Sequence, residues 1–492
     1  MAPGLESPRI GTRFAPQHLR RIFRSQNVRD AMSEAVTEGV LKLDSPDVKS
    51  MIGRLREIIP AEELDQMQPS GPAAVYTTLT TLWLMILQRL GGGLSMQAVL
   101  KEAIAHAEDI FPASKRVREA TLSARDTAFN DARHRLEVST AEHLYRCVSG
   151  SLIQACAAHK ERPTFLVDGT TLTTAPTEDL KQAFPPATNQ HGESVWPTVL
   201  MLSAHELRSG VSAAFELGAM YGLSATCEAA LFPALCRQLP SDAIVVADAG
   251  FGTFAPVRDC IIAGRSVIFR MSSHQYHSLI KQAPPLIQPG PGESYALTWK
   301  PTSRNLQTHP QICASETLEV VLHKVRFSEI LPECRTEKWL YLVTTPDISR
   351  QQAVAVYVRR YDIEHDIRDV KVTLNTERIR VHTREMFEKE LLTSLVAYNL
   401  VIQFRREAAI KAGVTPRRLS FTGVWNTMQS FLLRMSPSAT AEQWEARYER
   451  ALEIASKEVL RIRPHRSYPR QAHHRRPKTT KFQKNQRKKR IP

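Results

Sequence analysis

"PTFLVDGT", residues 163–170, decides the class of this chain. It is a short apolar run that stops on an acid, Asp168, and then a glycine. The same form returns at 242–252, "DAIVVADAGFG", where the run stops on Asp248. Between them "WPTVLMLSAHEL" and "GVSAAFELG" read as strands joined at "RSG", and "SATCEAALFPALCRQL" reads as a helix. Beyond them "TFAPVRDCIIAG" reads as a helix and "SVIFRM" as a strand. Strands interleaved with helices predict an α/β fold.

Outward from this centre the texture changes. Residues 1–160 read as mostly helical. There, "YTTLTTLWLMILQRL" and "LSMQAVLKEAIAHA" flank three glycines at 91–93, with Ser95 placed to cap the second helix. That pair fits a helix-turn-helix, and fits a plain helical hairpin better. Arg125, Arg133, His134 and Arg135 make the following helical stretch modestly basic. From about 273 to 346 no helical period is visible, and "SYALTWK", "LEVVLHKVRF" and "KWLYLVTT" suggest a β-rich insertion. A helix is expected from Ser349 to about "TLNT", another over about 383–412 ending at Gly413, and a last one opened by Thr440 and Gln443 at capping-box spacing. The domain expectation is therefore 1–160 helical, 161–412 catalytic with the insertion, 413–456 helical, and 457–492 a tail.

At 492 residues, 42% hydrophobic and 23% charged, the chain reads as an ordinary globular protein of about two to four units. Its charge is not ordinary. The net value is +15, and residues 457–492 hold fourteen Lys/Arg against one acid, so the tail carries +13 and the rest +2. Such a tail points to a polyanion, nucleic acid first, with a merely solubilising tail as the plainer alternative. The seven cysteines include no C-x-x-C pair, which argues for a reducing compartment rather than a disulfide framework or structural zinc. No secretion signal is evident and no apolar run reaches spanning length; "LLTSLVAYNLVIQF" reads as a core helix.

The helix "YVRRYDIEHDIRDVK", 357–371, carries the chemistry-bearing pattern. On a wheel of about 100° per residue, Tyr357, Arg360, Glu364 and Lys371 share an arc of roughly 60°. Ile363, Ile367, Val370 and Leu374 form the apolar face beside them, and Arg359, Asp362, Asp366 and Thr373 fall on an expected solvated back. Alone this is equally a salt-bridged helix, since Arg360 and Glu364 are an i, i+4 pair. Asp168 and Asp248 change the balance. Two strand-end acids and one helical acid can converge at a sheet edge, and converging carboxylates persist where a cation neutralises them. Oxygen-only ligands favour Mg²⁺ or Mn²⁺, and two such ions suit phosphodiester chemistry.

The spacing Y-x-x-R-x-x-x-E-x-x-x-x-x-x-K resembles the signature of the bacterial insertion-sequence transposases of family four. "VDGTTL" and "VVADAGFG" are similar to that family's first and second Asp motifs. The resemblance covers roughly 120–410. It implies a ribonuclease-H-like catalytic core with a β-rich insertion, flanked by helical N-terminal and C-terminal regions. It further implies Asp168, Asp248 and Glu364 as catalytic, metal-binding acids, with Tyr357, Arg360 and Lys371 on DNA. Partners would be the terminal inverted repeats, target DNA and a second copy of the chain; the place would be the bacterial cytoplasm, at the nucleoid. Some relatives hold a flipped base on a tryptophan of the insertion, for which Trp299 is the better candidate and Trp339 the weaker. One departure is Ala249, where several relatives carry Arg. The rivals are a catalytically silent DNA-binding regulator, a stand-alone nuclease of the same fold, and an RNA- or anionic-membrane-binding protein driven by the tail.

Overall fold

A computed structural model describes residues 58–106, 108–156, 162–190, 192–281, 293–330, 339–431 and 440–461. The basic tail past 461, most of the Pro/Gly cluster near 290 and Cys334 lie outside the described residues.

The apolar runs of the sequence build one mixed sheet of nine strands. These are β1 (Thr164–Thr173), β2 (Pro186–Asn189), β3 (Gly192–Glu206), β4 (Ser212–Ala219), β5 (Ile244–Ala247), β6 (Ser266–Arg270), β7 (Glu293–Trp299), β8 (Leu318–Arg326) and β9 (Trp339–Thr344). Their order is β2-β3-β1-β5-β6-β9-β8-β7, with β4 also paired to β3. β1 runs antiparallel to β3 and parallel to β5, and β5 runs parallel to β6. The segment 273–346 supplies β7, β8 and β9, and, against the expectation of no helical period there, short helices at Ser273–Ile280, Ser303–Thr308 and Phe327–Ile330. Through the β6–β9 pairing its strands extend the main sheet.

Side chains alternate across a strand, so the two faces of the sheet bury different sets. Phe165, Val167, Val245 and Phe269 face one side. That side is covered by α6 (Glu228–Gln238) and α7 (Phe254–Ile262), which follow β4 and β5. Leu166, Val246 and Ile268 face the other side, against Tyr357, Val358, Ile363 and Ile367.

Helices make up the third layer. α1 (Ala61–Met67), α2 (Thr78–Leu90), α3 (Met96–His106), α4 (Thr127–Arg135) and α5 (Val138–Cys156) precede the sheet. α2 and α3 are the hairpin around the three glycines, with Ser95 accepting from the Ala98 N–H. Trp425 and Gln429 both donate to the Leu90 carbonyl, so the turn is docked rather than displayed. Past the sheet, α8 (Arg350–Val358) is capped by Ser349, and α9 (Asp362–Arg368) continues it. α10 (Arg384–Ala412) is the central column: its residues 389–406 are all buried, and Gly413 ends it with φ +62°. α11 (Phe421–Phe431) and α12 (Ala441–Ala455) pack beyond it, and α12 opens with the Thr440–Gln443 capping box. No helix among the described residues is long and apolar enough to cross a membrane.

Candidate active site

Register brings the first two acids together. β1 and β5 pair Thr164 with Ile244, Phe165 with Val245 and Leu166 with Val246. Two residues further along stand Asp168, within β1, and Asp248, one residue past the end of β5. Strand neighbours lie about 4.8 Å apart, so two carboxylates there repel unless something positive intervenes. Both share parity with Leu166 and Val246, and so belong to the sheet face that α8 and α9 cover. The C-terminal ends of parallel strands are where open α/β sheets bind ligands.

The positive group is Arg360. Its guanidinium donates to Asp168 Oδ2 and to Glu364 Oε1, each at 3.3 Å, and lies over the Tyr361 ring. Burial opposes its charge, yet Asp168, then Tyr357 and Asp248, hold it more firmly protonated than a free arginine. Burial pushes Asp168 up to about 6; Arg360 pulls it down, and Asp248 and Glu364 push it further up. The Gly169 N–H bonds Asp168 Oδ1, and the Gly250 N–H bonds Asp248 Oδ1 at 2.8 Å. Gly252 makes the second turn possible, because a Cβ there would meet the Arg270 carbonyl at 1.9 Å.

A fourth carboxylate, Glu228, arrives from the opposite face. Gly169 has the parity of Val167, and a Cβ on it would lie 2.0 Å from Glu228 Oε1. The missing side chain is therefore the space Glu228 fills. Burial, then Asp168 and Asp248, push Glu228 up to about 7 against the pull of Arg360. Nothing in the sequence singled it out: "CEAAL" reads as an ordinary helix start, and only the glycine directly after Asp168 hinted at a close approach.

The donor set fits a hard divalent cation in chemistry, since it is carboxylate oxygen throughout. No three of these acids bring oxygens within 4.8 Å of one another, and Arg360 bridges Asp168 and Glu364 in their place. The guanidinium supplies part of the positive charge that the acids need, since Asp168 and Glu228 stay pushed up beside it.

The other expected residues fall out unevenly. Tyr357 is 2% exposed, and burial holds its hydroxyl well above the usual range, with Arg360, Arg270 and Asp248 the charges acting on it. Lys371 donates to Thr170 Oγ1 at 3.0 Å and to the Thr171 carbonyl at 2.7 Å, and pairs with Glu377. It is thereby tied to β1 just past Asp168. Trp299 is a correction. It is 5% exposed and stands edge-on to Phe254, so it offers no face to a base. Trp339 is the half-buried one, with Lys324 and Arg326 over its ring.

The solvated back of the helix is a second correction. Asp362 and Asp366 are 4% and 1% exposed. Arg417 donates to both oxygens of Asp366 at 2.8 Å, and to the Leu207 and Glu206 carbonyls. Arg359 bonds the Leu207 carbonyl and pairs with Asp362. The β3–β4 turn and the chain after α10 cover this side, contacts that a wheel cannot see. Nor is the segment one regular helix. A 3₁₀ turn at Arg359–Tyr361 and a π turn at Asp369–Thr373 interrupt it, so a wheel of constant steps of about 100° does not describe it. Arg133, one of the residues that make its helical stretch modestly basic, is buried and paired with Glu390 beside Arg89.

Residues 159–400 match the family model described as the transposase DDE domain. The match takes in Asp168, Asp248 and Glu364, and it supports a transposase function. Asp168 is not at a strand end as expected, since β1 continues past it to Thr173. No curated protein matches the chain significantly.

Proposed function

We propose that this chain is a DNA transposase that binds the terminal inverted repeats of its element, cuts there, and joins the freed ends to target DNA. Asp168, Asp248 and Glu364 are its catalytic acids, and they would hold two Mg²⁺ or Mn²⁺ ions. A divalent cation bound by these acids would activate the attacking oxygen and stabilise the leaving one. The observation that supports this is the β1–β5 pairing up to Leu166 and Val246, two residues before Asp168 and Asp248, with Glu364 linked to Asp168 through Arg360. Support for a ribonuclease-H-like core comes from the strand order β4-β3-β1-β5-β6, its first three strands antiparallel and its last three parallel.

The chain's own groups have distinct work. Arg360 keeps Asp168 and Glu364 oriented, and turns its charge to a phosphate oxygen when DNA arrives. Glu228 completes the acidic wall from the far face and keeps Asp168 from rotating over Gly169. Lys371 fixes the stretch of β1 that follows Asp168. Tyr357 packs under the acids as a rigid floor. The remaining division follows the sequence expectation: residues 1–160 on the element end, 161–412 for catalysis, 413–456 as support for a dimer, and the basic tail on DNA.

A plasmid carrying the DNA that flanks the coding region tests this. Wild type with Mg²⁺ is expected to release the element and give joined products, while Glu364→Gln binds the ends and leaves them uncut. Cutting without joining would indicate a nuclease, and equal cutting by Glu364→Gln would remove the assignment.

A further inference from the structure

A separate cluster lies on the helical layer, at the crossing of α1 and α5. Glu63, His143 and Cys147 each place one ligand-type atom there, all within 4.8 Å of one another. His143 Nε2 is 2.7 Å from Glu63 Oε2 and 3.4 Å from Cys147 Sγ. One ring nitrogen has either a proton or a lone pair, never both. If Nε2–H donates to Glu63, it has nothing with which to accept from the thiol. If it accepts from the thiol, it cannot donate to the carboxylate. Three groups of metal-ligand type therefore converge on one point, and a cation there would take one donor atom from each.

We propose that Glu63, His143 and Cys147 bind Zn²⁺ and that the ion clips α1 to α5. The ligand chemistry is one carboxylate, one imidazole and one thiolate, each a regular zinc donor. Tetrahedral bond lengths place such donors roughly 3.3–3.8 Å apart. The His143–Cys147 pair at 3.4 Å is already so spaced, and Glu63, now at 2.7 Å, moves outward on binding. His143 and Cys147 stand at i, i+4 on α5 and so share one face. Glu63 is 62% exposed in its side chain, which leaves it free to turn and leaves a fourth position to water. On binding, the Cys147 proton goes to solvent, Glu63 coordinates as carboxylate, and His143 gives its Nε2 lone pair with its proton on Nδ1. The +2 ion is then balanced by two anionic ligands.

The backbone is set for the clip. Leu64 of α1 and Leu144 and Val148 of α5 are fully buried in one core cluster. At the other end of α1, Gln68 accepts from the Glu137 N–H and Thr140 hydroxyl and donates to the Arg135 carbonyl. One end of α1 is thus pinned by an amide side chain, and the middle by the trio. The site shares no residue with the acids of the sheet, so it stands whether or not the transposase assignment holds.

Cobalt reads the thiolate directly. The metal-depleted full chain, titrated with Co²⁺, is expected to gain an intense near-ultraviolet thiolate-to-cobalt band that saturates at one equivalent and is displaced by Zn²⁺. The band is lost in Cys147→Ser and in His143→Gln and kept in Glu364→Gln. Zn²⁺ raises the Tm of wild type and leaves that of Cys147→Ser unmoved. A chain with no such band, or one whose band survives Cys147→Ser, overturns the site. Cys147→Ser changes one atom at a half-buried position, so loss of fold does not confuse the result.

Discussion

The two sides of one helical segment, 357–371, carry the same kinds of residue to opposite ends. On the front, Arg360 serves Asp168 and Glu364 with single bonds of 3.3 Å, and Glu228 and Asp168 are pushed up in pKa. On the back, Arg417 meets Asp366 with two bonds of 2.8 Å and adds two backbone carbonyls. At the back one guanidinium bonds both oxygens of Asp366, while at the front one guanidinium is shared between two acids; burial pushes Asp369, beside Asp366, up to about 6 as well. An acid bonded on both oxygens is fixed in geometry; acids that share one partner have capacity to bind something. The difference marks which face is scaffold and which is site, although composition gives both faces the same look.

The largest effect should come from the back. Arg417→Met leaves Asp366 buried without its partner, which costs about 3–5 kcal/mol. Chemical denaturation measures it, and Arg417→Met/Asp366→Leu should recover most of the loss. A double variant no better than the single would mean that Arg417 acts through its bonds to Glu206 and Leu207 instead.

Trp299→Ala comes next. The side chain packs in the core against Phe254, so the expected cost is about 3 kcal/mol of stability. Stability within about 0.5 kcal/mol of wild type would return Trp299 to the surface, since exposed positions behave that way.

A smaller effect belongs to Glu228, on the front. A carboxyl that binds its proton more tightly folded than unfolded destabilises the fold as it ionises. With Glu228 pushed up from 4.5 to about 7, that cost is absent below pH 4.5 and fully present above pH 7. Glu228→Gln should therefore raise Tm by about 2–4 °C at pH 8 in chelator and leave it unchanged at pH 4. An equal gain at both values would assign the change to packing alone.

Smallest on stability is Glu364→Gln, within about 1 kcal/mol of wild type, because a partly exposed ion pair contributes little. Thermal unfolding without divalent ions checks this. A loss as large as that of Arg417→Met would erase the contrast between the faces.

Much of this was legible before any coordinates. The apolar runs before Asp168 and Asp248 became adjacent strands because each is a continuous buried apolar run, and β1 extends beyond its run to Thr173. Ser349, Thr440 and Gly413 fixed helix ends through local bonds that sequence spacing reveals. Arg360 and Glu364 shared a face because i, i+4 survives the 3₁₀ turn between them. What failed was non-local. Asp362 and Asp366 looked solvated because Arg417 lies about fifty residues away in sequence and the β3–β4 turn further still. Trp299 looked available because strand alternation does not say which face is covered. Glu228 was invisible because its partner is an absence, the missing Cβ of Gly169.

Mn²⁺ binding followed by electron paramagnetic resonance tests the central claim most directly, with wild type, Glu364→Gln and Asp168→Asn compared in the same buffer. Wild type should bind Mn²⁺ at the acids, and each front variant should lose that binding while retaining the wild-type fold. Mn²⁺ binding by both variants as tight as that of wild type would contradict it.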